Sequence, residues 1–187
     1  MFWVLTENEH MLPESRYARI EWERRFLLHS FPRGEKVTRI RRISDRYIEG
    51  TTLRLRQQSD GDRQAVFKLT QKLPGGTERG QQGLITSMYL TPEEFNVLAI
   101  LPAKKLAKVR HSVPPFGIDV FEGELQGLVL AEAEFNSAAD AAALVLPPLI
   151  VAEVSDDHRF TGGSLAGVLR EELEKWLAQY GIRLNPS

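Results

Sequence analysis

Charged side chains recur at even spacing in several short segments of the chain. The clearest sets are Glu21/Glu23/Arg25, Arg54/Arg56, Lys68/Lys72, Lys108/Arg110 and Glu132/Glu134. In an extended strand, side chains two residues apart project from the same face. Apolar residues such as Trp22, Leu55 and Ala133 occupy the alternate positions. Each segment is therefore predicted to be a strand with one charged and one apolar face.

A charged strand face suits either bulk water or the inside of a closed barrel. For any single pair, a solvated face is the commoner explanation. Taken together, however, basic pairs on three segments oppose carboxylate pairs on two others, which favours one shared lumen. Cations in such a lumen could neutralise a polyanion, and carboxylates could hold a divalent cation that bridges its oxygens. This mixture suits a triphosphate with Mg²⁺ or Mn²⁺.

The overall composition limits the other function classes. The chain carries 24 basic and 25 acidic residues, a net charge of -1, so it has no global field to attract nucleic acid or an anionic membrane. A nucleic-acid groove would also be mainly basic with interleaved aromatic residues. No segment is long and apolar enough to span a membrane. We expect a cytoplasmic protein without nucleic-acid or membrane partners; a monomer and a homodimer both fit.

Other catalytic signatures are weak. The chain has no cysteine, which excludes disulfides and zinc sites built on cysteine. It contains no phosphate-binding loop of the G-x-x-x-x-G-K-[ST] type. The 4 histidines show no metal-ligand spacing, and Ser164 is better explained as a helix cap than as a nucleophile.

The length of 187 residues suits one domain. We predict an N-terminal extension over 1–19 and a single α+β domain over 20–187. Strands are predicted at 20–28, 36–43, 46–57, 63–72, 79–88, 104–111, 116–123, 127–135 and 150–154. The strand at 79–88 is weakened by Gly80 and Gly83, and Ser59–Asp62 is predicted to be a hairpin turn.

Two longer helices and one short helix are predicted. Thr91 is a good N-cap, followed by Pro92 and two glutamates, and this helix should end before Pro102. A short helix is expected over 137–143. The second long helix is predicted over 164–180, with Gly181 as its stop signal. The two longer helices can cover the apolar face of the sheet.

Several segments resemble motifs of the CYTH superfamily, the triphosphate tunnel metalloenzymes. The segment Glu21-Trp-Glu23-Arg-Arg25 resembles the family's opening E-x-E-x-K strand. Further matches are Arg54-Leu-Arg56, Lys72, Lys108-x-Arg110, Asp119-Val-Phe121, Glu132-Ala-Glu134 and Glu153 through Arg159. These matches are collinear from about residue 20 to about residue 180. Their order is more specific than any one motif.

The resemblance implies a closed eight-stranded antiparallel β-tunnel with helices packed outside. It implies Glu21, Glu23, Glu132 and Glu134 as ligands of Mg²⁺ or Mn²⁺. It implies phosphate contacts from Arg25, Arg54, Arg56, Lys72, Lys108, Arg110 and Arg159. Lys68 matches no clear family position.

Two departures from the family pattern bear on catalysis. The family's lysine at the end of the opening motif is Arg25 here, which can bind phosphate but cannot accept a proton. In some relatives that lysine works with a tyrosine to activate water, and Tyr47 is the matching candidate, so Arg25 and Tyr47 are the predicted catalytic pair. The family's R-x-E-x-E strand appears as Arg79-Gly-Gln-Gln-Gly83, without its two acids.

We therefore expect divalent-metal-dependent hydrolysis of inorganic tripolyphosphate or a small organic triphosphate. A protein that binds polyphosphate or nucleotide without catalysis is the alternative that Arg25 and the missing acids favour. Adenylyl cyclase activity is a further alternative, although no adenine pocket can be identified in the sequence.

Overall fold

The computed structural model describes residues 17–61, 63–73 and 81–184, without the side chains of Gln81 and Gln82. Strands dominate this part of the chain. They are β1 Arg19–Leu28, β2 Arg39–Ile48, β3 Leu53–Ser59, β4 Val66–Leu73, β5 Gln81–Leu90, β6 Ala103–Val113, β7 Phe116–Phe121, β8 Val129–Phe135 and β9 Ile150–Glu153.

Antiparallel pairing closes the first eight strands into a barrel. The strand order is β5-β4-β3-β2-β6-β7-β8-β1-β9, and β1 also pairs with β5. The start of β1 pairs with β5 over Arg19–Trp22, and its end pairs with β9 over Phe26–Leu28. β9 therefore lies at the seam of the barrel. The predicted α+β fold, a closed eight-stranded antiparallel tunnel with helices outside, is confirmed.

Four short helices accompany the described strands. They are α1 Pro92–Leu98, α2 Ala138–Ala142, α3 Gly162–Leu165 and α4 Arg170–Ala178, with 3₁₀ turns at Gly123–Leu125 and His158–Phe160. The predicted start of α1 is confirmed, because Thr91 and Glu94 form a reciprocal capping box. The ring of Phe95 of α1 packs at a tilt against Phe67 of β4, with ring centroids 4.6 Å apart, so α1 packs on the outer wall.

The boundaries of two predicted strands are wrong. Instead of strands at 36–43 and 46–57, the chain forms β2 over Arg39–Ile48 and β3 over Leu53–Ser59. The turn between them contains Gly50 at a φ of 72°, a conformation that glycine adopts readily. The hydroxyl of Thr51 supports this turn by donating to the carbonyl of Ile48 at 2.9 Å.

The predicted helix over 164–180 is divided in two. Leu169 is extended, with φ -82° and ψ 153°, and separates α3 from α4. Gly167 lies between the two helices and weakens the first half of the predicted helix, because glycine is a poor helix former. Two short helices, α3 and α4, therefore replace the single predicted helix.

The N-terminal boundary stays a prediction. β1 begins at Arg19, one residue before the predicted start. Residues 1–16 of the predicted extension lie outside the described residues. The same holds for Arg79 and Gly80, in the segment that departs from the family's R-x-E-x-E pattern. Within the described part of the chain, no helix is long and apolar enough to cross a membrane.

The faces of the strands that point into the barrel change character along their length. One part of each inward face carries charged side chains. Two residues further along the same face, the side chain is apolar; these apolar residues are Leu27, Leu106, Phe121 and Leu130. These four pack with Leu165 of α3 and with Leu173 and Leu177 of α4. The α3–α4 segment therefore covers one end of the barrel.

A second apolar cluster lies on the outer face of the wall. Phe26, Ile118 and Ala131 are buried there beneath Leu144 and Leu149. Phe26 alternates with Arg25 and Leu27 along β1, so it projects away from the lumen. The segment between α2 and β9 covers this face, which keeps apolar side chains out of water on both sides of β1, β7 and β8.

Candidate active site: a charged cavity in the barrel

A cavity of about 360 Å³ lies inside the barrel. Eleven of the twelve predicted site residues line it: Glu21, Glu23, Arg25, Tyr47, Arg54, Arg56, Lys72, Lys108, Arg110, Glu132 and Glu134. The charged strand faces thus enclose a lumen rather than face an open sheet surface.

Strand register explains how residues far apart in sequence reach one cavity. Arg25 lies opposite Glu132 and Glu23 opposite Glu134 on the β1–β8 pair. Arg110 lies opposite Asp119 on the β6–β7 pair. Directly opposed residues of paired strands share a face, so one correct register carries the charged face around the barrel wall.

A buried ion cluster joins β6, β7 and β8. Asp119 is fully buried and accepts hydrogen bonds from Lys108 at 2.5 Å and from Arg110 at 2.6 Å. Arg110 also donates to Glu132. Burial alone would raise the pKa of Glu132, but Arg110, Lys108 and Arg25 hold this pKa below its usual range. Lys108 and Arg110 are consequently held in place at the cavity wall by buried carboxylates.

A second ion cluster joins β2 and β3. Asp45 is fully buried and accepts two hydrogen bonds of 2.7 Å from the guanidinium of Arg56. Burial opposes the ionised form, but Arg56 and Arg54 lower the pKa of Asp45. The Nε atom of Arg54 lies 4.0 Å from Asp45 and, in the described structure, is buried without a hydrogen-bond partner. The Nη2 atom of Arg54 lies 3.5 Å from the hydroxyl of Thr70, and the side chain lines the cavity.

A third group surrounds the start of β1. Lys72 donates to both carboxylate oxygens of Glu21, at 2.9 and 2.7 Å. Arg25 donates to the carbonyl of Ser155 at 2.9 Å and lies 3.6 Å from Glu23. Burial, followed by the negative charge of Glu132, raises the pKa of Glu23 to about 7. Carboxylates are thus close enough here to repel one another.

The donor chemistry at this end fits Mg²⁺ or Mn²⁺, because carboxylate oxygens suit hard divalent cations. The crowding around Glu23 is the kind of repulsion that a bound cation relieves. Among the described residues, however, no three carboxylates or histidines are already arranged to hold an ion. Lys72 occupies Glu21 and Arg110 occupies Glu132, so a metal would have to replace these contacts.

Tyr47 reaches the cavity beside α3. A Cβ atom built on Gly162 would lie 1.9 Å from the Tyr47 hydroxyl, so only glycine leaves room for this ring. Burial, and then the charge of Asp45, raise the pKa of Tyr47 to about 12. Tyr47 is therefore neutral at physiological pH and can donate a hydrogen bond, but it is a poor source of phenolate.

Arg159 is not among the described residues that line the cavity. Its guanidinium donates to Asp157 at 2.9 and 2.6 Å and lies over the rings of Phe160 and Trp176. Asp157 binds the guanidinium of Arg159 and holds it away from the lumen. The structure thus does not place Arg159 with the other predicted phosphate ligands.

Two buried aspartates complete the site and were not predicted to be part of it. Asp45 and Asp119 orient the cations of the wall rather than face the cavity opening. The sequence did contain a signal: Asp119 belongs to the Asp119-Val-Phe121 segment that resembles the family pattern, and Asp45 precedes Tyr47 by two residues, so it shares a strand face with Tyr47. Thr161, Gly162 and Gly163 also line the cavity, and nothing in their local sequence indicated this.

Comparison with known proteins shows that this chain is similar to an inorganic triphosphatase and to two solved structures. The inorganic triphosphatase of Nitrosomonas europaea is 32% identical over 154 residues, which cover 78% of this chain and 96% of that protein. Two crystal structures of the protein NE1496, one naming it an inorganic triphosphatase, are 26% identical and cover 80% of this chain. This chain spans 99% and 95% of those structures, with TM-scores of 0.52 and 0.53. No protein-family model matches the sequence.

Proposed function

Because the chain belongs to the CYTH family of triphosphate tunnel proteins, we propose that it hydrolyses a triphosphate inside its barrel with the help of Mg²⁺ or Mn²⁺. The substrate is inorganic tripolyphosphate or a small organic triphosphate. The relative from Nitrosomonas europaea, named an inorganic triphosphatase, favours the inorganic substrate.

The cations of the cavity bind the phosphate chain in this proposal. Phosphoryl transfer depends mainly on positioning and on neutralising charge, because the protein does little covalent chemistry. Lys108, Arg110 and Arg56 are already held in place by buried aspartates, so they lose little freedom on binding. Arg54, Lys72 and Arg25 supply further positive charge to the same cavity.

The carboxylates would hold the metal. Glu21, Glu23, Glu132 and Glu134 would bind Mg²⁺ or Mn²⁺ directly or through water. When bound, such an ion neutralises charge on the phosphate oxygens and on the leaving group. Release of Lys72 from Glu21 and of Arg110 from Glu132 would then free both cations for the phosphates.

Arg25 and Tyr47 act as donors in the proposed reaction. Neither accepts a proton readily at neutral pH, because the guanidinium stays charged and burial raises the pKa of Tyr47 to about 12. We propose that Arg25 binds a phosphoryl oxygen and that Tyr47 orients substrate or the attacking water by a hydrogen bond.

The observation that carries the proposal is the enclosure of cations and carboxylates from separate strands in one cavity. Among the described residues, six arginine and lysine side chains and four glutamates line this cavity. Such a set can neutralise a triphosphate and hold a divalent cation that bridges its oxygens.

Phosphate release from tripolyphosphate, ATP and thiamine triphosphate, measured with and without Mg²⁺ or Mn²⁺, tests the proposal. We expect metal-dependent turnover of at least one substrate. Glu134→Gln should abolish it, because the variant loses a proposed metal ligand. Glu124→Gln, at an exposed carboxylate in the β7–β8 turn, is the matched control and should keep full activity. Metal-independent turnover, or an unaffected Glu134→Gln variant, would contradict the assignment.

The second candidate is a binder that has lost the group that activates water, and the presence of Arg25 favours it. Tight binding of tripolyphosphate without turnover would support the binder. Arg25→Lys separates the two: a large rise in rate would mean that the arginine limits catalysis. An unchanged rate would mean that Arg25 only binds phosphate.

The cytoplasmic location also stays a prediction, which fluorescence microscopy of a tagged protein would check.

A further inference from the structure

Arg41 lies on the lumenal face of the barrel next to the proposed phosphate site. On the β2–β6 pair it is directly opposite Arg110, which lines the cavity. Directly opposed residues of paired strands share a face. Arg41 itself is half-buried and lies just beyond the residues that form the cavity wall. Arg41 therefore adds a second guanidinium to the lumenal face beside Arg110.

The positive charge of Arg41 is poorly compensated. Its Nη2 atom donates to the hydroxyl of Ser112 at 3.1 Å, and its Nε atom is buried without a partner in the described structure. No carboxylate of the described residues forms an ion pair with Arg41. The neighbouring arginines do have carboxylate partners. Arg110 pairs with Asp119 and Glu132, and Arg39 pairs with Asp60 at 2.7 Å.

The surroundings of Arg41 disfavour its charged form. Burial, followed by the positive charges of Arg110 and Arg39, lowers the pKa of Arg41 from its usual value. Like charges directly opposite one another on paired strands are destabilising, and a buried donor without a partner adds to this cost. An anion placed between Arg41 and Arg110 would relieve both effects.

We propose that Arg41 and Ser112 form an additional anion-binding subsite, which takes a phosphoryl group beyond those bound at Arg54, Arg56 and Arg110. The inference rests on the proposed function in that the neighbouring cavity binds a condensed phosphate. The group is either the fourth phosphoryl of a linear chain longer than tripolyphosphate or a separate inorganic phosphate ion. In both cases the ligand is a tetrahedral phosphate oxyanion, which suits a guanidinium and a hydroxyl donor.

Calorimetric titration of the metal-free protein with tripolyphosphate, tetrapolyphosphate and inorganic phosphate tests the subsite. If the fourth phosphoryl occupies it, the wild type binds tetrapolyphosphate about tenfold more tightly than tripolyphosphate, as one charge-assisted hydrogen bond allows. Arg41→Gln should bring this ratio close to one. If a separate ion occupies it, inorganic phosphate binds the tripolyphosphate-saturated wild type but not the saturated variant.

Arg42→Gln is the matched control, because Arg42 is the next residue on β2 and its side chain is 79% exposed. It should keep the wild-type behaviour. The melting temperature separates a ligand site from a structural role: Arg41→Gln without ligand should melt no lower than the wild type, because it removes a poorly compensated charge.

The subsite is overturned if neither the chain-length ratio nor the second phosphate depends on Arg41 while tripolyphosphate still binds. A lower melting temperature of Arg41→Gln without any change in binding would assign Arg41 a structural role and overturn it as well. If tripolyphosphate does not bind the wild type at all, the proposed function itself fails.

Discussion

The inner faces of four strands contain two contrasting regions. On each of these faces, a charged side chain and an apolar side chain lie two residues apart. The pairs are Arg25 and Leu27 on β1, Lys108 and Leu106 on β6, Asp119 and Phe121 on β7, and Glu132 and Leu130 on β8. Alternation decides only which side of the wall a residue faces. The change along each face decides where the cavity ends and where the α3–α4 segment packs.

The two regions also contribute differently to stability. The apolar region buries Leu27, Leu173 and Leu177 completely, and burial of such side chains drives folding. The charged region buries Asp45 and Asp119 equally deeply, but desolvation offsets most of the attraction between buried ions. We infer that the apolar end holds the barrel closed while the charged end is kept for ligand binding.

Asp119→Asn should have the largest effect, because it leaves Lys108 and Arg110 without their shared buried carboxylate. Loss of one partner of a buried ion cluster costs about 3–5 kcal/mol in free energy of unfolding. Urea denaturation would measure this loss. Saturating tripolyphosphate should restore part of it, since the ligand supplies negative charge to both cations. Asp60→Asn, in the more exposed pair with Arg39, should cost less than about 1 kcal/mol. A loss that small for Asp119→Asn would remove the contrast between the regions.

Leu173→Ala tests the apolar region. Leu173 is 0% exposed against the barrel end, and truncation of a buried leucine costs about 2–5 kcal/mol. In contrast to Asp119→Asn, tripolyphosphate should stabilise this variant no more than it stabilises the wild type. Leu169→Ala is the control, because Leu169 is 70% exposed on the same segment. Its free energy of unfolding should change by less than about 0.5 kcal/mol. Equal losses for the two leucines would show that α4 does not close the barrel.

Gly162→Ala tests the boundary between the two regions, where α3 meets Tyr47. The added Cβ would lie 1.9 Å from the Tyr47 hydroxyl, so the ring must move at a cost of about 1–3 kcal/mol. Gly163→Ala places its Cβ at an ordinary 3.7 Å from the same ring. This control should be neutral or gain up to about 1 kcal/mol, since alanine favours a helix. Thermal denaturation of both variants would separate the clash from the general effect of alanine, and two equally stable variants would refute the close contact.

Asp157→Asn should have the smallest effect. Hydrogen bonds from Arg159, and then from Tyr180, lower the pKa of Asp157 to about 2 from its ordinary 3.8. Because the pKa in the folded protein is depressed, the contribution is complete above pH 3.8 and is lost as the pH falls through about 2. For this partly exposed pair we expect less than about 1 kcal/mol. The difference between wild type and variant, measured by urea denaturation, should shrink from pH 5 to pH 3. Asp156→Asn is the exposed neighbouring control, and a difference that grows on acidification would contradict the interpretation.

Much of the fold and of the cavity could be predicted from local patterns. The charged faces of β1, β3, β6 and β8 follow from period-two spacing, and the start of α1 follows from its cap. Even so, the turn at Gly50 and the extended Leu169 were missed. Both depend on backbone conformations in which glycine and neighbouring contacts outweigh the periodic pattern.

The sequence by itself determined which residues share a strand face, because side-chain direction alternates with every residue of an extended chain. Only the tertiary structure decided that these faces close on one lumen, through the pairing of β1 with β5, and that Arg41 lies opposite Arg110. It also kept Arg159 out of the cavity and placed Asp45 and Asp119 beneath the cations. The physical reason is that register and ion pairing join residues far apart in the chain, so no local pattern encodes them.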